Sequence, residues 1–209
     1  MPATAKICGL STPETLDAAI AGGASHVGFV FFPPSPRNLT IEQAAGLAAR
    51  VPTQVQRVAL FVDPDPAFVA EVTARVPIEV IQLHGHESPV FAASLARPVW
   101  KAIPVRTRAD LDAGRVWKGA AERLVYDAKP PKGSELPGGN GLRFDWHLLD
   151  GHAHPLPWVL SGGLGADNVR EAVGITGARI VDVSSGVETA PGTKSVDKIA
   201  HFLQAVAAL

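Results

Sequence analysis

L-S-G-G-L-G-A-D-N at residues 160–168 and R-I-V-D-V-S-S-G-V-E at residues 179–188 decide how this chain folds. The first is an apolar strand ending in Ser161, Gly162 and Gly163, with a helix start expected at Ala166, Asp167 and Asn168. The second is a β-branched strand, residues 180–183, ending in Ser184, Ser185 and Gly186. Two strands joined by one helix form a βαβ unit. They therefore run parallel, and their small-residue loops emerge on the same side. Glycine lets backbone N–H groups approach an anion closely, and a helix N-terminus adds partial positive charge. The loops after strands seven and eight of a (β/α)8 barrel make a phosphate site of this kind. Either loop alone reads as a tight turn. Together they make Gly162, Gly163, Ser185 and Gly186 the expected phosphate binders.

Outward from that unit, the same alternation fills the chain. Strands are expected at residues 5–8, 26–32, 55–62, 78–83, 99–103, 124–127, 156–160 and 178–183. Helices are expected at 13–22, 40–50, 67–75, 89–96, 108–118, 146–149, 166–173 and 195–208. Ser11 or Thr12 caps the first helix with Pro13 in its first turn, Gly22 and Gly23 stop it, and Thr40 caps the second. Strands apolar on both faces indicate a parallel sheet covered by helices. At 209 residues a closed eight-stranded (β/α)8 TIM barrel fits better than a doubly wound sheet. No composition shift marks a boundary, so residues 1–209 read as a single domain. The pattern breaks once. Residues 128–141 carry three prolines, four glycines and two lysines without an apolar period. A loop this long is expected to be a functional lid or disordered, with G-G-N-G at 138–141 reading as a mobile hinge rather than an anion-binding turn.

The net charge of −1 gives no basic tail for nucleic acid and no acidic tail. The lone Cys8 excludes an internal disulfide and a multi-cysteine metal site. No apolar run is long enough to span a bilayer, and no signal peptide is apparent, so a cytoplasmic protein is expected. The chain is expected to act on a small molecule, without nucleic acid or membrane, as a monomer or homodimer. The pairs His84/His86 and His152/His154 invite a metal reading. The second lies before strand seven, at the wrong end of the barrel, and the first lacks further ligands, so no metal is assigned.

Barrel chemistry sits at the C-terminal ends of the strands. Strand one brings Cys8 there, strand four His84, a candidate for substrate contact, and strand six Asp127. Cys8 alone is as readily a buried structural thiol as a reactive one. Asp127 ends an apolar strand, where a carboxylate is costly unless paired, with Lys129 or Lys101, or used. Together Cys8 and Asp127 can serve as base and acid on two sides of one substrate. Lys6 is expected to point away from Cys8. Arg37, on the proline-braced loop P-P-S-P-R, can grip a carboxylate with two donors. Asp182 precedes the strand-eight loop and faces either the barrel interior or the helices. The four tryptophans read as packing residues.

Taken in order, K-I-C-G at 6–9, G-F-V-F with S-P-R ending at Arg37, Q-L-H-G at 82–85, Y-D-A-K around Asp127, G-G-N-G followed by F-D-W, L-S-G-G-L and V-D-V-S-S-G-V-E resemble the phosphoribosylanthranilate isomerases of tryptophan biosynthesis. The likeness runs from near the first residue to the last helix. Asn140 departs from it, standing where a G-G-T-G turn would have threonine. The resemblance implies a (β/α)8 fold and an internal Amadori rearrangement. N-(5-phosphoribosyl)anthranilate would become the 1-deoxyribulose 5-phosphate derivative with no cofactor. It assigns Cys8 as general base and Asp127 as general acid, with Arg37 on the anthranilate carboxylate and Asp182 near the same end. Two other readings stay open. The histidine-pathway isomerase does the same chemistry with two aspartates, and cysteine after strand one argues against it. A silent phosphometabolite-binding barrel would be expected to lack Cys8 or Asp127.

Overall fold

The computed structural model describes residues 2–131, 133–134 and 136–209. Eight parallel strands close into a barrel in chain order: β1 (Thr4–Cys8), β2 (His26–Phe31), β3 (Gln56–Phe61), β4 (Val80–Leu83), β5 (Val99–Val105), β6 (Arg123–Ala128), β7 (Trp158–Leu160) and β8 (Ile180–Val183). Closure is made by β1 against β8, with Lys6 opposite Asp182 and Ile7 opposite Val183. The expected fold is the one found.

Between the strands lie α1 (Pro13–Ala21), α2 (Ile41–Ala48), α3 (Pro66–Arg75), α4 (Pro89–Ala93), α5 (Val169–Thr176) and, closing the chain, α6 (Val196–Ala207). Local chemistry sets their ends. Thr12 caps α1 and Pro13 opens it; Thr40 and Gln43 form a reciprocal capping box on α2; Asp65, Ser88 and Ser195 cap α3, α4 and α6. Four expected helices come out differently, of which Trp146–Leu149 forms a short 3-10 turn. Residues 108–117 wind as a 3-10 helix, because the Asp110 carboxylate takes the backbone N–H groups of Arg106 and Thr107 and tightens the first turn. α4 stops at Ala93, where the Ser94 hydroxyl donates back to the Phe91 carbonyl at 2.7 Å. α5 begins at Val169 rather than Ala166. Asn168 turns residues 163–168 into a brace, its Oδ1 accepting from Gly165 N–H at 2.8 Å and its Nδ2 donating to Gly163 O at 2.9 Å.

The strands bury two layers of side chains. One set, with Phe29, Phe61, Leu83, Tyr126 and Leu160 among it, packs outward in one cluster with helix residues such as Phe202 of α6. The other fills the barrel: Val58, Val80, Trp100, Ala102, Val125 and Val159 form a separate inner cluster. Residues two apart on a strand share a face. Continuing each inner row toward the C-terminal end therefore leads to Cys8, Val30, Leu60, Gln82, Asp127, Ser161 and Ser184, which line the mouth. Trp100, Trp117 and Trp146 are buried as expected of packing residues. Trp158 stacks on His154, so the His152/His154 pair belongs to the outer packing around Tyr126.

One ribbon was not anticipated. β9 (Glu188–Ala190) and β10 (Thr193–Lys194) pair antiparallel just after β8 and lie beside the mouth. Pro191 and Gly192 make the turn, with Gly192 at φ +81°.

His26, at the start of β2, packs against the Trp100 ring. Burial first, then the charges of Lys6 and Arg123, push its imidazole down to about 4. An unfolded imidazole titrates near ~6.5. Between those values the unfolded chain binds a proton that the folded chain refuses, so stability falls as pH drops from ~6.5 toward 4 and is level above that window. His26→Gln should flatten the slope of urea midpoint against pH across that window. An unchanged slope would show that His26 is not the group responsible.

Candidate functional site

Cys8 lies at the end of β1, nearly fully buried, with its Sγ against Gly28; a Cβ at Gly28 would sit 2.9 Å from that sulfur. Lys6 stands two residues earlier and shares the inner face, contrary to the expectation that it points away. Its Nζ donates to both oxygens of Asp182 at 2.9 Å, and the pair is buried across the β1–β8 seam. Asp182 thus faces the barrel interior. Burial acts to lower the Lys6 pKa, but the Asp182 carboxylate and Cys8 outweigh it and leave the ammonium held above its ordinary value. For Cys8 the balance runs the other way. Burial pushes the thiol up and the Asp182 charge adds to that, while Lys6 and Lys194 pull down without overcoming it.

Asp127 also faces the interior. Its Oδ1 accepts from Ala128 N–H at 2.8 Å, and its Oδ2 lies 3.2 Å from His84 Nε2. Neither lysine considered from sequence is its partner: Lys129 pairs with Asp110, and Lys101 with Glu87. His84 therefore reaches the site as a neighbour of the carboxylate, and its Nδ1 meets the Gln82 amide at 3.3 Å. His86 turns away to Asp63. Among the described residues no group of three or more His, Cys, Asp or Glu gathers in metal-binding geometry.

Arg37 is buried at the mouth, but its side-on pair of donors is already taken. Nε and Nη2 bind the Glu188 carboxylate at 2.7 and 2.8 Å, and Nη2 also donates to Gly139 O at 3.2 Å. Glu188 accepts further from Lys194 Nζ at 2.6 Å and from Gly192 N–H at 3.2 Å. Burial alone would raise the Glu188 pKa; Arg37 and Lys194 outweigh it and hold the carboxyl below its ordinary value. Lys194 also donates to Ser184 O and Oγ, which ties the ribbon to the strand-eight loop. Sequence reading missed this Arg37–Glu188–Lys194 cluster, although the Pro191-Gly192 turn signals the ribbon that carries it.

The glycine-bearing loops come together as expected. Gly162, Gly163, Leu164, Ser184, Ser185 and Gly186 line one cavity, into which Asp127 and Asp182 also project. Gly162 and Gly163 have φ of +88° and +64°, and a Cβ on Gly186 would lie 1.9 Å from Leu164 O. Side chains are thus excluded from the place where the two loops meet. Residues 136–139 of the long loop fold across the mouth: a Cβ on Gly138 would lie 2.6 Å from His84 Nε2 and 2.8 Å from Asp127 Oδ2. A second cavity, which shares Asp127, Gly138, Ser161, Asp182 and Ser184 with the first, runs from Arg37 and Phe32 past Cys8 and Gln82.

Architecture and site together place the chain among (β/α)8 barrels that work at the C-terminal mouth beneath the loops of strands seven and eight. Comparison with known proteins narrows this. The family model for N-(5'-phosphoribosyl)anthranilate (PRA) isomerase matches residues 5–205. The chain belongs to that family. The curated isomerase of Rhodospirillum centenum is 52% identical over the full length of both chains. That of Paramagnetospirillum magneticum is 51% identical, covering 98% of this chain and 97% of its own. The crystal structure of the Thermotoga maritima isomerase superposes with a TM-score of 0.90 at 33% identity, covering 99% of this chain and all of that one. A phosphoribosylanthranilate isomerase in complex with reduced 1-(o-carboxyphenylamino)-1-deoxyribulose 5-phosphate superposes at 0.87 with 32% identity and the same coverage.

Lys6 and Asp182 form an ion pair with almost no access to water. Removing one partner of such a pair strands a buried charge and costs about 3–5 kcal/mol. Lys6→Met should lower the unfolding free energy by about that amount in urea titration. The double variant Lys6→Met/Asp182→Leu should recover most of the loss. A single variant as stable as the parent would show that Asp182 is not left charged.

Proposed function

We propose that this chain isomerises N-(5'-phosphoribosyl)anthranilate to 1-(2-carboxyphenylamino)-1-deoxyribulose 5-phosphate in tryptophan biosynthesis, by acid–base chemistry on side chains alone. The observation that carries the reading is one cavity system with Cys8 and Asp127 on its walls, Arg37 at one end and the glycine-bearing loops at the other. That arrangement suits an elongated substrate with a carboxylate at one end and a phosphate at the other. The backbone N–H groups around Gly162, Gly163, Ser185 and Gly186 hold the phosphate. Arg37 takes the anthranilate carboxylate at its end-on edge: Nη1, and the Nη2 hydrogen now given to Gly139 O. Glu188 keeps the side-on edge and so fixes the plane of the guanidinium.

Asp127 gives a proton to the ribose ring oxygen. The C–O bond breaks, and the anthranilate nitrogen lone pair forms a C=N bond to the first sugar carbon. The Cys8 thiolate then takes the proton from the second sugar carbon, leaving an enolamine that tautomerises to the ketone. Asp182 is expected near the substrate carboxylate. With both its oxygens on Lys6, its part is better served by holding that cation beside the thiolate, since two carboxylates repel. The chain works as one barrel domain. All residues named come from a single copy, so a monomer or a homodimer is equally competent. Among the described residues no helix is long and apolar enough to cross a membrane, and a cytoplasmic location accords with a biosynthetic substrate.

The direct test is loss of phosphoribosylanthranilate fluorescence on adding the purified protein; no loss would overturn the reading. Cys8→Ala and Asp127→Asn should each lower kcat about 10²-fold or more. Arg37→Ala should act mainly on KM, because a carboxylate grip far from the reacting carbons serves ground and transition states alike. Because burial favours the neutral thiol, the thiolate absorbance of the unliganded protein should titrate above the free-thiol range of ~8.5. A midpoint below that range would mean that the two lysines win.

A further inference from the structure

A general acid must hold its proton at the working pH. A free carboxyl titrates near ~3.9, whereas an imidazole titrates near ~6.5. Asp127 stands beside an imidazole, and the imidazole is hydrogen-bonded to an amide. The Asp127 Oδ2 to His84 Nε2 distance is 3.2 Å, and His84 Nδ1 lies 3.3 Å from the Gln82 side-chain nitrogen. Gln82 is fully buried inside the barrel, and its Oε1 has no partner. Stranding that oxygen among apolar neighbours costs its desolvation, which a leucine at the same place would avoid. A half-turn of the amide exchanges oxygen and nitrogen on the same two positions and leaves the nitrogen rather than the oxygen without a partner, so the two orientations differ in which atom meets His84. The Gln82 oxygen then accepts a proton held on His84 Nδ1. His84 Nε2 is left with a lone pair facing Asp127.

We propose that Asp127 and His84 share the acidic proton of the reaction between Oδ2 and Nε2, and that Gln82 fixes the other imidazole proton on Nδ1. This rests on the isomerase reading above and makes His84 and Gln82 positioning residues for Asp127. The pair is either a carboxylic acid beside a neutral imidazole or a carboxylate beside an imidazolium, with the same number of protons. In the ring-opening step the shared proton leaves Oδ2 and bonds to the ring oxygen as the C–O bond breaks. A carboxylate and an Nδ1–H imidazole remain. Cys8 meanwhile gains one proton from the sugar carbon. Its release to solvent and the uptake of one by the pair restore the enzyme with no net proton consumed.

The surroundings favour sharing. Both side chains are about nine-tenths buried, and the Gly138 backbone closes over the gap between them. The other titratable groups that face their cavities are engaged elsewhere: Asp63 with His86, Arg37 with Glu188, and Asp182 with Lys6. Cys8 is the remaining one, and it works on the other step.

Two experiments test the assignment. The first is the pH dependence of kcat. His84→Asn should lose about 10²-fold near neutral pH, with the loss shrinking as pH falls toward the carboxyl range. Gln82→Leu should show the same trend more weakly, and Gln82→Glu, which also accepts from Nδ1–H, should restore it. A loss of equal size at every pH would reduce His84 to a structural contact and overturn the proposal. The second uses the unaltered protein and needs neither activity nor variants that fold. Nitrogen NMR of the His84 ring should show Nδ1 protonated throughout and Nε2 as the nitrogen that titrates. A bare Nδ1 with a permanently protonated Nε2 would overturn the proposal, even if the isomerase reading stood. Absence of isomerase activity with the expected NMR result would instead count against that reading alone.

Discussion

Closure of the sheet between β1 and β8 is the constraint on which everything else depends. Eight strands that close on themselves turn alternate side chains into one interior. The seam carries a buried ion pair, Lys6 with Asp182, where an apolar pair would be easier to accommodate. Lys6 sits one inner position below Cys8, so the contact that fastens the barrel also sets a cation beside the thiol.

A second buried charge cluster sits above the first. Glu188 binds Arg37 and Lys194 at once, and Lys194 reaches the Ser184 loop. The ribbon after β8 thus links the Arg37 end of the cavity to the glycine-bearing loop after β8. Arg37 also holds the Gly139 carbonyl of the long loop. Glycine at 138 and 139 is what lets the loop lie so low: a Cβ at either place would meet His84, Asp127 or Arg37 within 3 Å.

Much of this was legible in the sequence because periodicity and turn chemistry are local. The strand ends placed Cys8, His84 and Asp127 at one mouth, and the two glycine-bearing loops fell together as their βαβ unit requires. The helix caps at Thr12 and Thr40 were likewise visible. What escaped depended on contacts between distant segments. Glu188 carries no local signal, and its partner Arg37 lies 151 residues away. Lys6 shares the inner face with Cys8, because residues two apart on a strand point the same way. Asp182 could not be oriented from alternation without knowing which neighbour faced in, and its pairing with Lys6 settled that. The 3-10 winding of residues 108–117 turned on one carboxylate, Asp110, choosing backbone donors over the helix pattern.

The central claim is that one elongated cavity holds a phosphate between the loops after β7 and β8 and a carboxylate at Arg37, with Cys8 and Asp127 on either side of the sugar carbons between them. A crystal structure of this protein with the reduced product analogue tests it most directly. The account predicts the phosphate on backbone N–H groups around Gly163 and Ser185, the carboxylate on Arg37 Nη1, and the second sugar carbon within reach of Cys8 Sγ. A phosphate bound anywhere else, or an analogue lying in the reverse sense, would contradict it.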